Sequence, residues 1–185
     1  MASFTQIFQQ KALLVWLPTL LLLSCRQPGE QQDKAPETGI LLVVLGIAQD
    51  GGYPQAGCDK ACCRPVWEGQ QQPRRVVSLG LVDNISSRVY LFDATPDFRS
   101  QLHDLLGYLP AGQRNVQNLG GIFLTHAHTG HYTGLMHLGR EAMGARQVAV
   151  YAMPRIQAFL QAIGPWSQLV ALQNIVLRPL RPDSS

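Results

Sequence analysis

Beyond residue 39 the chain is organised as apolar runs separated by polar turns, and their pattern predicts secondary structure. Residues 40–47, ILLVVLGI, form an unbroken apolar run, which predicts a strand buried on both faces. Two more apolar stretches, residues 75–83 and 87–94, flank a turn-like Asp83-Asn84 pair and predict a hairpin. The first half of this region is therefore expected to be mainly strand.

Strands and helices alternate in the second half. Thr95-Pro96 predicts a helix start, with Thr95 as N-cap, and the helix continues to about Gly107. Strands are expected at 121–125 and 147–152, and helices at 133–143 and 154–164. This order predicts an α/β (α+β) domain over residues 40–185, in which helices cover a mixed sheet.

Composition is that of an ordinary globular protein. Hydrophobic residues make up 46% of the 185 residues and charged residues 15%, which argues against general disorder. The net charge of +3 comes without a basic block, so the sequence gives no indication of nucleic-acid binding.

The first 39 residues differ from the rest. Lys11 precedes the apolar run ALLVWLPTLLLLS, which is too short for a spanning helix but suits an export signal over residues 1–25. The ending LLSC resembles a bacterial lipobox, which predicts lipidation at Cys25; an uncleaved anchor and a plain secretory signal are the alternatives. Residues 26–39 are polar and predict a flexible linker. We therefore expect an exported lipoprotein held to a membrane by its lipid, on the periplasmic or extracellular face.

Three histidines, His126, His128 and His131, follow the predicted strand at 121–125 in the segment THAHTGHYTG. In extended chain His126 and His128 project to the same side, and the turn at Thr129-Gly130 brings His131 back towards them. Imidazole is the commonest ligand for metals such as zinc. The segment therefore predicts a metal site.

Cys58, Cys62 and Cys63 lie within six residues in a long irregular segment rich in glycine and proline. Thiolates at this spacing can hold a structural zinc ion, which would explain why such a loop is tolerated. In an oxidising compartment Cys58 can instead pair with Cys62 or Cys63 as a disulfide. Both interpretations remain open on these residues alone.

The histidine segment resembles the HxHxDH signature of the metallo-β-lactamase superfamily, with His126, His128 and His131 at the matching positions. The resemblance implies an αββα sandwich, zinc as cofactor, a first metal held by His126 and His128, and a second by His131. It also implies that Asp93, at the end of a core strand, orients the histidine segment. Gly130 stands where the family has an aspartate for the second metal, so one catalytic-type ion is expected and the second is doubtful.

Flanking segments narrow the resemblance. LGIAQDGGYPQAGC, RRVVSLGLVD and LFDATPDFRSQL look like the branch that contains pyrroloquinoline quinone biosynthesis protein B, which favours zinc at the cysteines. After His137 the sequence has no histidine, and after Glu141 its one carboxylate side chain is Asp183. The superfamily takes its remaining ligands from its second half, so the chain is expected to be the N-terminal half of the sandwich, with one sheet face exposed.

The resemblance implies a metallohydrolase in which metal-activated water attacks a small-molecule substrate of unknown identity, incomplete as the chain stands. The alternative is a non-catalytic metal-binding half-domain or accessory protein that needs a partner chain. The sequence assigns no catalytic acid or base. Asp50, Gly51, Gly52 and Tyr53, in the loop after the first strand, are candidates to line the site near the metal, but the sequence gives them no role there.

Overall fold

The computed structural model describes residues 39–181. The predicted export signal at 1–25 with Cys25, almost all of the 26–39 linker and the last four residues lie outside the described part. Within residues 39–181, no helix has the length and apolar character needed to span a membrane.

Six strands form a single sheet in the sequence order β1 to β6. The strands are β1 (Ile40–Gly46), β2 (Ser78–Asp83), β3 (Arg88–Phe92), β4 (Leu119–Phe123), β5 (Val148–Ala152) and β6 (Ile175–Pro179).

The direction of the strands decides which loops meet. β1 is antiparallel to β2 and β2 to β3, whereas β3, β4, β5 and β6 are parallel. β1 therefore runs in the same direction as β3 and β4. As a result, the loops that leave the ends of β1, β3 and β4 emerge at one edge of the sheet.

Short helices connect the strands. They are α1 (Arg64–Trp67), α2 (Phe98–Leu106), α3 (Thr129–Tyr132), α4 (Pro154–Ala162) and α5 (Trp166–Ala171), with 3-10 turns at Ala111–Gln113, Val116–Asn118 and Thr133–Leu138. Helix α2 and the central strands share one buried apolar cluster, to which Leu91, Leu105 and Ile122 belong, each fully buried. The sheet with helices, a mixed α/β fold, agrees with the fold class predicted from the sequence.

Two predicted helices differ in detail. The helix expected at 133–143 is instead α3 followed by the 3-10 turn that ends at Leu138. Three glycines at 134, 139 and 144 disfavour a longer helix. Helix α2 begins at Phe98, with Asp97 at its N-cap position, rather than after Thr95; the Thr95 hydroxyl still accepts a hydrogen bond from the Asp97 backbone, as a capping side chain does.

Strand β1 is not buried on both faces, and that prediction is wrong for the described residues. Ile40, Leu42 and Val44 are 69%, 58% and 64% exposed. Since β1 pairs with β2 alone, it is an edge strand, and an unbroken apolar run cannot reveal which of its faces is covered.

The exposed side chains of β1 begin an apolar row that crosses the sheet. The pairing register places Val44 beside Leu79, followed by Phe92, Phe123 and Tyr151 on the same face. The three aromatic rings stack in sequence, with centroids 5.3 and 4.5 Å apart. This apolar row lies on the face opposite the core.

Gly134 joins the histidine segment to the end of β3. Its backbone N–H donates to the carbonyl of Ala94, and the Ala94 N–H donates to the carbonyl of His131. A Cβ atom at residue 134 would lie 2.2 Å from the Thr95 carbonyl oxygen and 2.6 Å from the Phe98 Cβ. Backbone contacts this close require glycine.

Gly134→Ala is expected to lower the free energy of unfolding by about 1–3 kcal/mol, the usual cost of overpacking, because backbone atoms cannot move aside easily. Gly112→Ala is the matched control, since a Cβ there meets nothing within 4 Å. Urea denaturation followed by circular dichroism measures both. Equal stability of the two variants would contradict the close packing at Gly134.

Candidate metal centre

The histidine segment lies at the sheet edge where the ends of β1, β3 and β4 meet. Asp50 follows β1, Asp93 follows β3, and His126, His128 and His131 follow β4. The three histidines are therefore close together along the chain, whereas Asp50 and Asp93 join them in space only because β1 and β3 end at the same edge as β4.

His131 lies between the two carboxylates. Its Nδ1 is 2.7 Å from Asp93 Oδ2, and its Nε2 is 3.0 Å from Asp50 Oδ1. The side chains of His131 and Asp93 are only 7% and 8% exposed, whereas that of Asp50 is 40% exposed. His131 thus has one nitrogen towards the interior and the other towards the open side of the site.

His126 and His128 complete a convergent group. The ring of His126 lies 4.0 Å from that of His131 and 4.6 Å from that of His128, centroid to centroid. One ligand atom each from Asp50, His126 and His128 lies within 4.8 Å of the others. His128 Nδ1 is also 3.5 Å from Asp50 Oδ2. The three predicted histidines are therefore brought together, and their role as metal ligands stays a prediction.

Asp93 contacts the histidine segment from the buried side of the site. Besides contacting His131, its carboxylate accepts hydrogen bonds from the Thr125 backbone at 2.8 Å and from the Thr125 hydroxyl. Its backbone is left-handed, with φ at 68°, a conformation in which aspartate is enriched among non-glycine residues. These contacts fix the ring of His131, as a carboxylate partner does for histidines that bind metals.

The charges of the site are linked. Burial lowers the pKa of His131, but the hydrogen bonds and charges of Asp93 and Asp50 outweigh burial and raise this pKa above its ordinary value. The hydrogen bond from His131 in turn lowers the pKa of Asp50. A cation that binds at Nε2 would have to replace the contact between this nitrogen and Asp50.

Asp50 is the residue of this site to which sequence analysis gave no role. It lies 81 positions from His131, so no local spacing connects the two. The available signal was topological: a carboxylate just beyond a strand that runs parallel to β3 and β4.

Gly130 lies directly against Asp50. A Cβ atom at residue 130 would be 2.8 Å from both the Cα and the Cβ of Asp50. The backbone of Asp50 thus occupies the space into which a side chain at 130 would project.

The cysteine segment forms a second convergent group. Thiol sulfurs of Cys58, Cys62 and Cys63 lie within 4.8 Å of one another, and all three cysteines are free. Trp67 Nε1 donates to the Cys58 carbonyl, and the Tyr53 hydroxyl donates to the Cys62 carbonyl, each at 2.8 Å. These side chains hold the backbone of the segment in place.

Both groups fit a divalent transition metal by the chemistry of their donors. Imidazole nitrogens with a carboxylate oxygen suit a catalytic-type zinc site, and clustered thiolates suit a structural one. The donor atoms are near enough for small side-chain rotations to bring them to one ion, since zinc binds nitrogen at about 2.0–2.1 Å and sulfur at about 2.3 Å.

Comparison with known proteins agrees with this geometry. Residues 88–185 match the family described as "Beta-lactamase superfamily domain". Coenzyme PQQ synthesis protein B of Stutzerimonas stutzeri is 38% identical over 97 residues, which are 51% of this chain and 32% of that protein. The same protein of Klebsiella pneumoniae is 36% identical over 101 residues, 54% of this chain and 32% of the relative. The aligned region thus spans about a third of these relatives.

Solved structures share the fold. Zn(2+)-bound PqqB from Methylobacterium extorquens matches with a TM-score of 0.60 at 24% identity, covering 76% of this chain and 49% of that one. A diphosphatase from the PhnP family matches with a TM-score of 0.52 at 24% identity, covering 77% and 52%. The family match, the sheet and the histidine segment lead to one conclusion: the chain belongs to the β-lactamase superfamily and has a metallo-β-lactamase-like fold.

Proposed function

We propose that this chain carries the zinc site of an exported metallohydrolase that acts on a small-molecule substrate. The observation that carries the proposal is the convergence of His126, His128 and His131, whose rings lie side by side at the sheet edge of a β-lactamase superfamily domain. Superfamily relatives that include a Zn(2+)-bound structure support zinc as the metal. Both the substrate and the activity of the whole protein are part of the proposal.

Each residue has a defined part. His126 and His128 bind the ion through ring nitrogens on the open side of the site. Asp93 accepts a hydrogen bond from His131 Nδ1 and so leaves Nε2 facing the ion. Zinc, when bound, supplies Lewis-acid activation of water for attack on a polarised substrate.

An open cleft of about 550 Å³ begins beside Asp50. Tyr53, Arg74, Arg75 and Asp97 are among its lining residues. A cleft of this size is in the range of small-molecule sites. We propose that the substrate approaches the metal through this cleft.

The cysteine group is proposed to bind a structural zinc ion. The long loop buries little apolar surface of its own, and bonds from three thiolates to one metal ion would supply folding free energy in its place. The free thiols and their close approach support this proposal over a disulfide.

Export and lipid anchoring through Cys25 complete the proposal. They rest on the sequence of residues 1–25 alone, where an apolar run ends in LLSC. The protein would then act on the periplasmic or extracellular face of a membrane.

A second candidate function is that of a non-catalytic metal-binding module that works with a partner chain. The observation that favours it is the set of exposed apolar side chains on β1, among them Leu42 and Val44, since apolar patches on a surface commonly mark interfaces. Metal binding is common to both candidates, so hydrolysis separates them.

The first test is zinc content, measured by atomic emission on the purified chain. His126→Ala and Cys62→Ser are each expected to remove about one zinc ion per chain, because each removes a ligand from a different group that has few donors. His103→Ala is the control, as His103 lies on the exposed side of α2. Unchanged zinc in both test variants would refute both sites.

The second test is hydrolysis of three probes: a chromogenic cephalosporin, bis(p-nitrophenyl) phosphate and an acyl thioester. The zinc-loaded chain is expected to hydrolyse at least one, and His126→Ala to lower that rate by about 100-fold or more, which is the order of loss when a catalytic group is removed. His103→Ala should retain the rate. A zinc-loaded chain no faster than His126→Ala on every probe would favour the non-catalytic candidate.

The third test concerns Cys25. In a bacterial host fed radiolabelled palmitate, the chain is expected to incorporate label and to fractionate with membranes, whereas Cys25→Ala should lose the label because the thiol is the point of attachment. Cys58→Ala is the control for labelling of other thiols. Label that persists in Cys25→Ala would refute lipidation at this residue.

A further inference from the structure

The superfamily motif resembled by residues 126–131 has a carboxylate next to its last histidine, and this chain has Gly130 there. On its own, that replacement removes one oxygen ligand from the site. The structure, however, contains a second carboxylate that enters the same space from a distant part of the chain.

That carboxylate belongs to Asp50. One oxygen lies 3.0 Å from His131 Nε2 and the other 3.5 Å from His128 Nδ1. It also forms a group with His126 and His128 whose ligand atoms lie within 4.8 Å of one another. Asp50 therefore faces the metal-binding side of all three histidines.

Steric exclusion links Asp50 to Gly130. A side chain at residue 130 would place its Cβ 2.8 Å from the Cα of Asp50 and 3.1 Å from its carbonyl oxygen. These are backbone atoms, which cannot rotate away as a flexible side chain can. A carboxylate at 130 and the present position of Asp50 are therefore mutually exclusive without a shift of the loop after β1.

We propose that Asp50 supplies, from the loop after β1, the carboxylate metal ligand that position 130 lacks, and that glycine at 130 provides the space for it. The inference rests on the proposed metal site at the histidines. It identifies a ligand that the motif itself does not contain, and restores a fourth donor beside His126, His128 and His131.

A purely structural role for Asp50 is the competing explanation. In that case the carboxylate would only hold His131 by a hydrogen bond, while Asp93 already does so from the other side. The two roles differ in what the metal itself experiences: a ligand changes the coordination of the ion, whereas a positioning residue changes mainly its affinity.

The experiment measures zinc affinity by chelator competition and the visible spectrum of the Co²⁺-substituted chain. Asp50→Asn keeps the size of the side chain and an oxygen for His131 but loses the charge. It is expected to weaken zinc binding by about 100-fold or more, beyond the ~10–100-fold typical of residues that only orient ligands. Its Co²⁺ d–d absorption should also change, because a charged carboxylate donor is replaced by a neutral amide, which is a weaker ligand. His126→Ala provides the spectral background of the cysteine group, and Glu141→Gln, an exposed carboxylate paired with Arg140, is the control.

A ligand exchange tests the steric link. Asp50→Gly should weaken zinc binding as Asp50→Asn does, and Gly130→Asp alone should destabilise the chain through its clash with the Asp50 backbone. Adding Gly130→Asp to Asp50→Gly places the carboxylate at the motif position. Glycine at 50 removes the contact with the Asp50 Cβ, and its wider range of backbone conformations lets the loop after β1 shift its Cα and carbonyl away from residue 130. We expect the double variant to recover zinc affinity to within about 10-fold of the unmodified chain, the scale of a modest change around a metal site.

Two kinds of failure are distinguishable. If the unmodified chain binds zinc no better than His126→Ala, the proposed metal site itself is wrong. If the histidine site binds zinc and Asp50→Asn leaves both affinity and Co²⁺ spectrum unchanged, the site stands and the role of Asp50 is overturned. A folded double variant that binds no better than Asp50→Gly would likewise overturn the exchange.

Discussion

The contact between buried Asp93 and His131 is the interaction on which the site depends. Asp93 lies at the end of β3 and holds the loop after β4 through both the ring of His131 and the backbone of Thr125. Few charged groups are buried without partners, because desolvation costs several kcal/mol per ion, so these two side chains fix each other. With His131 fixed, its second nitrogen can face only the space where Asp50 and the other histidines converge.

Strand direction explains why three separate loops reach this space. The hairpin formed by β2 and β3 reverses the chain once, and its pairing with β1 reverses it again. β1, β3 and β4 therefore end at the same edge of the sheet. In open α/β sheets, ligands commonly bind beyond the carboxyl ends of the strands. The site thus has a local part from one short segment and a long-range part, Asp50 and Asp93, that exists only when the sheet is assembled.

This division also explains what the sequence could predict. His126, His128 and His131 are neighbours along the chain, so their convergence follows from strand geometry and one turn. The role of Asp93 could be predicted because this residue ends a strand and because of the family resemblance. The contact of Asp50 with His131 could not be predicted, since it depends on strand order and on the absence of a side chain at residue 130. The exposed face of β1 was missed for a related reason: an unbroken apolar run carries no period from which a covered face can be distinguished.

The loop that contains Asp50 contacts both candidate metal-binding groups. Three residues beyond Asp50, the Tyr53 hydroxyl donates a hydrogen bond to the carbonyl of Cys62 at 2.8 Å and also lies 3.0 Å from the side-chain amide of Gln71. The Arg74 guanidinium lies over the Tyr53 ring, 5.6 Å from its centroid. The backbones of Tyr53 and Arg74 also form an antiparallel bridge, which ties this loop to the segment just before β2. Whatever restrains the cysteine segment therefore also restrains the loop that presents Asp50. A metal ligand on such a loop would lose more conformational freedom on binding than one on a rigid strand end, so order imposed at the cysteines would lower the entropy cost of a metal bound at the histidines.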